Sequence, residues 1–455
     1  MKKQHQIFFD FLRFSIGSES EIPSSLKEAD WKELYRIAQK QCLVGILFDG
    51  IQKLPPAEVG MSKDLLLQWM MQCQMLEKAN VRLNDAAIQV SEWFRKKGFR
   101  TCILKGQGNA LLYPNPYSRT PGDIDIWVEG EDKRVISFVR SISPHEKACY
   151  HHIEFPSYKG VEVEVHYRPS FLLCFWHNRK LQKYYERVKE EQFSHRVMLG
   201  EQGEIAIPIV EFNLIFQLTH IFSHLMNEGI GLRQLVDYYY VLCDFYKVYQ
   251  NFSKITPSLF TLKEGDFSNH PVPLSKEGST FSPSPSSSGS GDVTAPSRCS
   301  EPLRSKVGGP SKVSPDCAGW DRLSIEGDNS AGSTTAVTSS ASTAIDVVQK
   351  ELKELGLWKF AGGIMYIMQE VFGMPASRLI VPPNEKYGKF VLNEVLEAGN
   401  FGKHDARNRF GRSKFGHNLQ RVYRDMRLVR YFPAEALCEP LFRIWHFFWR
   451  MKNKK

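Results

Sequence analysis

The fold of this chain is decided by eight residues at positions 121–128, which read PGDIDIWV. Polar and apolar side chains alternate from Asp123 to Val128, and this period of two is typical of a strand with one face against a core. Asp123 and Asp125 therefore share one face, and the isoleucines share the other. Because two adjacent carboxylates repel each other, the pattern predicts a partner that neutralises them, and a divalent metal ion does so most simply.

The same alternation recurs at residues 161–166, which read VEVEVH. The valines share one face, and Glu162, Glu164 and His166 share the other. If this strand pairs near the first, one of its glutamates supplies a third oxygen ligand. Three carboxylates suit a hard cation such as Mg²⁺ or Mn²⁺, and Mg²⁺ commonly holds substrate phosphates as well.

Upstream, residues 100–104 (RTCIL) read as a buried strand that runs into Lys105 and Gly106. A short helical pattern, ALLY, follows at 110–113. A strand, a glycine and a helix N-terminus together present backbone N–H groups to an anion. The sequence therefore predicts phosphate on one side of the aspartate pair and metal on the other.

The order of glycine motif, Asp-x-Asp strand and later strand carboxylate resembles the nucleotidyltransferase superfamily typified by DNA polymerase beta. A narrower bacterial group, the uncharacterised nucleotidyltransferases, is similar in the strings LKG at 104–106, LYP at 112–114, DIDI at 123–126 and EVHYRP at 164–169, together with Arg119. The resemblance implies metal-dependent transfer of a nucleoside monophosphate from a nucleoside triphosphate (NTP) to a hydroxyl acceptor.

The resemblance also implies roles for individual residues. Asp123, Asp125 and Glu164 correspond to the catalytic metal ligands, with Glu162 as the fallback for Glu164. The implied nucleotide-binding set surrounds the phosphates: backbone N–H groups at the glycine turn cradle them, and a basic side chain stabilises the leaving pyrophosphate. Its members are Lys105, Gly106, Gln107 and Arg119.

Two other functions stay open. A catalytically silent nucleotide- or RNA-binding module would keep the fold without turnover, and Gln107 favours it, because the superfamily usually has serine or glycine there. The second alternative is an enzyme that modifies small molecules by adenylylating a sugar or antibiotic hydroxyl. The acceptor, whether small molecule, protein or RNA, is not determined by these residues.

Composition and cysteine spacing predict the cellular compartment of the protein and whether it inserts into a membrane. The chain has 455 residues, 42% hydrophobic, a formal net charge of +9 and nine cysteines without a CxxC pair. An odd number of scattered cysteines argues against a disulfide framework and predicts a reducing, cytoplasmic compartment. No run of eighteen apolar residues occurs, so we expect no stable membrane insertion.

The predicted fold class is α+β, with a small mixed sheet flanked by helical regions. We expect an N-terminal helical region at 1–99, the nucleotidyltransferase-like core at 100–210, and a helical domain in two parts at 211–255 and 345–455. The second part begins with a helical pattern that runs from 345 through 371, and it includes a basic C-terminal tail. Residues 256–344 are rich in Ser, Gly, Pro and Thr. Such a segment cannot bury enough surface to offset chain entropy, so we predict a disordered insertion there.

Three features in the helical parts have simpler structural explanations. His220 and His224 lie four apart, as zinc ligands do, but core or hydrogen-bonding roles are favoured over metal binding. Arg233 and Asp237 have the spacing of a helix ion pair. Residues 441–450 read LFRIWHFFWR and predict an aromatic, basic C-terminal helix. A helix that packs its apolar face on the protein is favoured over one that lies on a membrane surface.

Overall fold

The computed structural model describes residues 3–56, 59–201, 203–255, 341–405, 407 and 414–453. They belong to one compact unit made of residues 1–258 and 338–455. The predicted disordered insertion lies outside the described residues except at 341–344, which begin a helix. The helix after the insertion therefore starts four residues earlier than predicted.

The described residues form fourteen α-helices and six strands. The helices are α1 Lys3–Ile16, α2 Trp31–Gln41, α3 Val44–Lys53, α4 Lys63–Lys96, α5 Gly106–Ala110, α6 Asp132–Ile142, α7 Phe175–Ser194, α8 Val210–Asn227, α9 Leu232–Ile255, α10 Ala341–Glu354, α11 Trp358–Glu370, α12 Glu385–Ala398, α13 Lys414–Leu428 and α14 Pro433–Lys452. The strands are β1 Thr101–Leu104, β2 Ile124–Val128, β3 His152–Tyr158, β4 Val161–His166, β5 Arg196–Met198 and β6 Glu204–Ala206.

The central sheet has four strands in the order β1-β2-β4-β3. β2 runs antiparallel to β1 and parallel to β4, and β3 runs antiparallel to β4. Strands β5 and β6 form a separate two-stranded ribbon. The small mixed sheet among helices confirms the predicted α+β class.

Both faces of the sheet are covered. Ile103, Ile126 and Val165 belong to a cluster with the C-terminal half of α4 and with α6. Leu104 and Trp127, on the opposite face, belong to the larger cluster that includes α7 and α8. The prediction of a half-buried strand at 123–128 is therefore wrong, because every residue of β2 is buried between the two clusters.

Three predicted boundaries also differ. β2 begins at Ile124, so Asp123 lies just before the strand. The short helix predicted at 110–113 lies at Gly106–Ala110. The single helix expected from 345 to 371 is two helices, α10 and α11, because Gly356 adopts φ +70° against the ring of His177. A β-carbon at Gly356 would lie 2.3 Å from that ring, so a side chain does not fit in this turn as it stands.

The C-terminal helix α14 docks by one face. Phe442 stacks on Phe171 with ring centroids 5.2 Å apart, and Glu435 is buried and accepts hydrogen bonds from the backbone N–H groups of Leu173 and Cys174. Large apolar side chains on its other face are exposed. Among the described helices, none has both the length and the hydropathy needed to cross a membrane.

Candidate active site

Three carboxylates converge in a cavity of about 740 Å³. Asp125 in β2 and Glu164 in β4 are register partners on parallel strands, and Asp123 precedes β2. Each offers an oxygen atom within 4.8 Å of the others. Since Mg²⁺–oxygen bonds are about 2.1 Å, one ion spans oxygens up to about 4.2 Å apart. Small side-chain movements therefore suffice for these oxygens to hold a hard cation. Glu162, the alternative ligand, is exposed.

The ammonium group of Lys105 lies against these carboxylates. Its Nζ is 2.8 Å from Oδ2 of Asp125 and donates a hydrogen bond to Nε2 of His220 at 3.1 Å. Lys105 has φ 53° and ψ −134°, and Gly106 follows with φ 43°. Non-glycine residues with such dihedrals cost about 1–3 kcal/mol and cluster at functional sites. The turn between β1 and α5 is thus strained where it presents the amine.

His166 is the second positive group at the carboxylates. Its Nε2 lies 3.0 Å from Oδ1 of Asp125 and 3.5 Å from Oε2 of Glu164, and its Nδ1 lies 3.3 Å from the carbonyl oxygen of Arg168. Burial by itself would lower the pKa of His166, but hydrogen bonds to the two carboxylates outweigh it and raise that pKa to about 9. The imidazolium therefore neutralises part of the cluster when no metal is bound.

The carboxylates differ in how well the protein neutralises them. Burial opposes ionisation of Asp125, but Lys105 and His166 hold its pKa well below the usual range. The pKa of Glu164 is also lowered, since its hydrogen bond to His166 outweighs burial. In contrast, the charge of Asp125 and then burial raise the pKa of Asp123. The charged groups of the protein therefore do not fully offset the repulsion between Asp123 and Asp125. An additional cation bound at this position would offset it.

Two histidines that sequence reasoning missed stand on β3 and just before it. Nδ1 of His152 lies 3.3 Å from Oε2 of Glu164 and 3.0 Å from Nε2 of His151. Burial and the charge of His166 lower the pKa of His152 to about 4, so its ring is neutral at pH 7. His152 is the register partner of His166, a pairing that the sequence pattern did not indicate.

The predicted phosphate turn is only partly at the cavity. Lys105 and Gly106 line it. The side chain of Gln107 points elsewhere: it is buried and donates to Oδ1 of Asn84 in α4 at 2.9 Å. The side chain of Gln107 is therefore not directed into the cavity.

Arg119 lines the cavity, but its guanidinium group is already bound. Nε and Nη2 donate to the two oxygens of Asp237 at 2.8 and 2.9 Å, and the hydroxyl of Tyr113 donates to Oδ1 at 2.6 Å. The predicted ion pair within α9 is wrong, because Asp237 is held by Arg119 while Arg233 donates to the carbonyl oxygen of Thr120 at 3.1 Å. Arg119 and Asp237 thus connect the segment before β2 to α9.

His220 and His224 face each other, with their Nε2 atoms 2.9 Å apart. The contact of His220 with Lys105 gives this pair the hydrogen-bonding role that the sequence favoured. Within the described residues, no group of three potential metal ligands includes either histidine.

The helical part of the chain completes the cavity with positive charge. Lys403, Arg233 and Arg421 line it, and the guanidinium of Arg233 lies 5.6 Å from the ring centroid of Phe401. Carboxylates on the sheet side of the cavity and cations on the helical side are suited to a polyanion that carries a divalent metal ion.

Comparison with known proteins gives one result. A family model described as "Uncharacterised nucleotidyltransferase" matches residues 27–251, a range that contains all six strands and the three carboxylates. No curated protein and no solved structure matches the chain. Residues 27–251, just under half of the chain, therefore match the uncharacterised nucleotidyltransferase family.

Proposed function

We propose that this protein is a metal-dependent nucleotidyltransferase that transfers a nucleoside monophosphate from an NTP to a hydroxyl acceptor. The family match over residues 27–251 supports general nucleotidyltransferase function. The observation that carries the finer proposal is the convergence of Asp123, Asp125 and Glu164, with oxygens within 4.8 Å of one another.

In this proposal Asp123, Asp125 and Glu164 hold Mg²⁺ or Mn²⁺. The bound cation supplies charge neutralisation to the triphosphate. Lys105 reaches the same cluster, so its ammonium group stabilises phosphate oxygens next to the aspartates. Gly106 and the backbone N–H of Gln107 contact the phosphates, while Arg119 acts chiefly through its ion pair by fixing the cavity wall.

We assign the acceptor side of the site to Glu164, which like Asp123 is half-buried. Its side chain is 33% exposed, whereas that of Asp125 is 5% exposed. The acceptor oxygen forms a bond to the α-phosphorus, the bond from that phosphorus to the bridging oxygen breaks, and pyrophosphate leaves. The hydroxyl proton passes to the carboxylate of Glu164.

One observation favours the silent binding module as a second candidate. Lys105 and His166 already neutralise Asp125 without any metal ion. A site with its own internal cations can bind a nucleotide or RNA without turnover.

The test is to incubate pure protein with each α-labelled NTP and Mg²⁺ or Mn²⁺, and to measure pyrophosphate release and the label on protein, RNA or small molecules. We expect pyrophosphate release by wild type and its loss in Asp123→Asn. Asp85→Asn is the matched control, because Asp85 forms a surface pair with Lys159 and should leave release unchanged. Nucleotide binding without release from any NTP would support the silent module and contradict transfer.

A further inference from the structure

A second group of potential metal ligands lies beside the carboxylates, on the hairpin of β3 and β4. His152, Glu164 and His166 each offer one atom, and these atoms lie within 4.8 Å of one another. The proposed function uses Glu164 but assigns no ligand role to either histidine. The question is whether two imidazoles and a carboxylate form a cation site of their own.

The distances match those of a bound transition metal. Nδ1 of His152 lies 3.3 Å from Oε2 of Glu164, and Nε2 of His166 lies 3.5 Å from the same oxygen. Ligands about 2.1 Å from a tetrahedral Zn²⁺ are about 3.4 Å apart. The two distances to Glu164 are therefore those of ligands that share one ion, which would replace the contact between Nδ1 of His152 and His151.

The orientation of His166 also matches that of a ligand. Its Nδ1 lies 3.3 Å from the carbonyl oxygen of Arg168, and an N–H directed to a backbone carbonyl is the usual outer contact of a metal-bound histidine. This contact leaves Nε2 directed at the oxygens of Asp125 and Glu164. A lone pair there would face anionic oxygens, so the position calls for a proton or a metal ion.

The paired strands β3 and β4 position the three ligands in the metal-free protein. His152 and His166 are register partners in the β3–β4 pair, and Glu164 is two residues from His166 on the same face. The side chains of His152 and His166 are 18% and 4% exposed. Ligands held on paired strands lose little freedom when they bind a metal.

A rival set, Cys149, His151 and His152, is less suitable. Sγ of Cys149 lies 3.5 Å from Nδ1 of His151, whereas His152 lies 3.0 Å from Nε2 of that ring. One ligand atom from each of these residues lies within 4.8 Å of the others, but the two short contacts of His151 use different nitrogens of its ring. The sulfur and His152 are therefore poorly placed to bind one ion together with His151.

We propose that His152, Glu164 and His166 bind one borderline divalent cation, with Zn²⁺ as the representative, beside the hard-cation site at the aspartates. Imidazole nitrogens favour such metals, while carboxylate oxygens favour Mg²⁺ and Mn²⁺. Glu164 belongs to both groups and links the two positions. This inference does not rest on nucleotidyl transfer.

The experiment titrates the tag-free, metal-stripped full chain with Zn²⁺ by calorimetry, without nucleotide or Mg²⁺. We expect one Zn²⁺ per chain, and His152→Ala should weaken it at least about 10-fold, since even outer-shell contacts of metal-bound histidines are worth 10- to 100-fold. His145→Ala is the matched control, because His145 is exposed and outside the cluster. Asp123→Asn should keep zinc binding, because Asp123 is not one of the three ligands. Zinc binding can therefore be confirmed even if the nucleotide proposal fails.

Zinc X-ray absorption on the wild-type complex decides the ligands even if His152→Ala does not fold. Two imidazole ligands support the assignment. A sulfur ligand at about 2.3 Å would assign the ion to a group that contains a cysteine, such as that of Cys149 or that of Cys174, and overturn it. Absence of stoichiometric zinc, or unchanged affinity in a folded His152→Ala, overturns it as well.

Discussion

The buried ion pair between Arg119 and Asp237 should contribute strongly to the stability of the fold, and a single substitution tests this. Asp237 receives two hydrogen bonds from Arg119 and one from Tyr113, and the two charged side chains are 4% and 5% exposed. Asp237→Asn removes the negative charge and leaves the guanidinium group buried without its counter-ion. Breaking a buried pair in this way costs about 3–5 kcal/mol. At about 2 °C per kcal/mol for a large domain, the melting temperature should fall by about 6–10 °C.

The assay is urea and thermal unfolding of wild type and Asp237→Asn at neutral pH. Asp85→Asn is the control of equal chemistry, because it breaks an ion pair whose side chains are 65% and 41% exposed, and such pairs contribute about 0–1 kcal/mol. A loss of under about 1 kcal/mol in Asp237→Asn would refute the reasoning. Arg119 would then be free to act as a phosphate ligand.

Three further predictions concern stability. Gly45→Ala should lower the free energy of unfolding in urea by at least about 2 kcal/mol, because its β-carbon would lie 2.2 Å from the backbone oxygen of Ser118. Burial and then the charge of Glu439 raise the pKa of Asp425 from 3.8 to about 7, so the folded state keeps a proton that the unfolded state has lost. The resulting stability is present below about pH 4 and lost as pH rises to about 7, and Asp425→Asn should flatten that slope in urea titrations. Replacing residues 259–337 with a short Gly/Ser linker should leave the melting temperature within a few degrees, because loop closure depends weakly on length.

Each of these three has a result that contradicts it. Gly60→Ala is the control for the glycine, since its nearest neighbour would lie at 3.6 Å, and equal stability of the two variants would count against the predicted clash. A slope unchanged by Asp425→Asn would assign the pH dependence to other groups. A melting temperature lowered by many degrees in the deletion would show that residues 259–337 contribute to stability.

The alternation along β2 and β4 was enough to predict the carboxylate face from sequence. Asp125 and Glu164 point to one side because each strand has a period of two, and the parallel pairing then sets them opposite each other. Burial of both faces of β2 was not predictable in this way. It depends on helices from distant parts of the chain, which supply the second cover.

His151 and His152 were not predicted as site residues. Counting residues outward from the turn between β3 and β4 gives the wrong pairing of the two strands. The turn at Lys159 and Gly160, with φ 50° and 79°, indicates a two-residue hairpin. Simple counting from that turn would place His152 opposite Tyr167, but the register shifts between Phe155 and Tyr158. Pro156, which has no N–H for the ladder, lies within that shift.

The partner of Asp237 was missed for a different reason. The Arg119–Asp237 contact spans 118 residues of sequence, whereas Arg233 stands one helical turn away. Only the tertiary fold decides between the two arginines. The side chain of Gln107 is a similar case, since its partner Asn84 lies on α4.

Asp123 is the better single substitution for testing the carboxylate site. Asp125 is bound to Lys105 and His166, so its replacement removes buried partners and lowers stability by itself. Asp123 carries unrelieved repulsion from Asp125. Asp123→Asn should therefore leave the metal-free protein as stable as wild type or slightly more stable.

The most direct test of the central claim is thermal unfolding of wild type and Asp123→Asn with Mg²⁺ and each NTP. A ligand at 100 times its Kd stabilises the folded state by about 2.7 kcal/mol, so the wild-type melting temperature should rise only when Mg²⁺ and a nucleotide are both present. Asp123→Asn should show no such rise. A wild-type protein that does not respond to any NTP at millimolar concentration, or a rise that persists in Asp123→Asn, would contradict a metal–nucleotide site at these carboxylates.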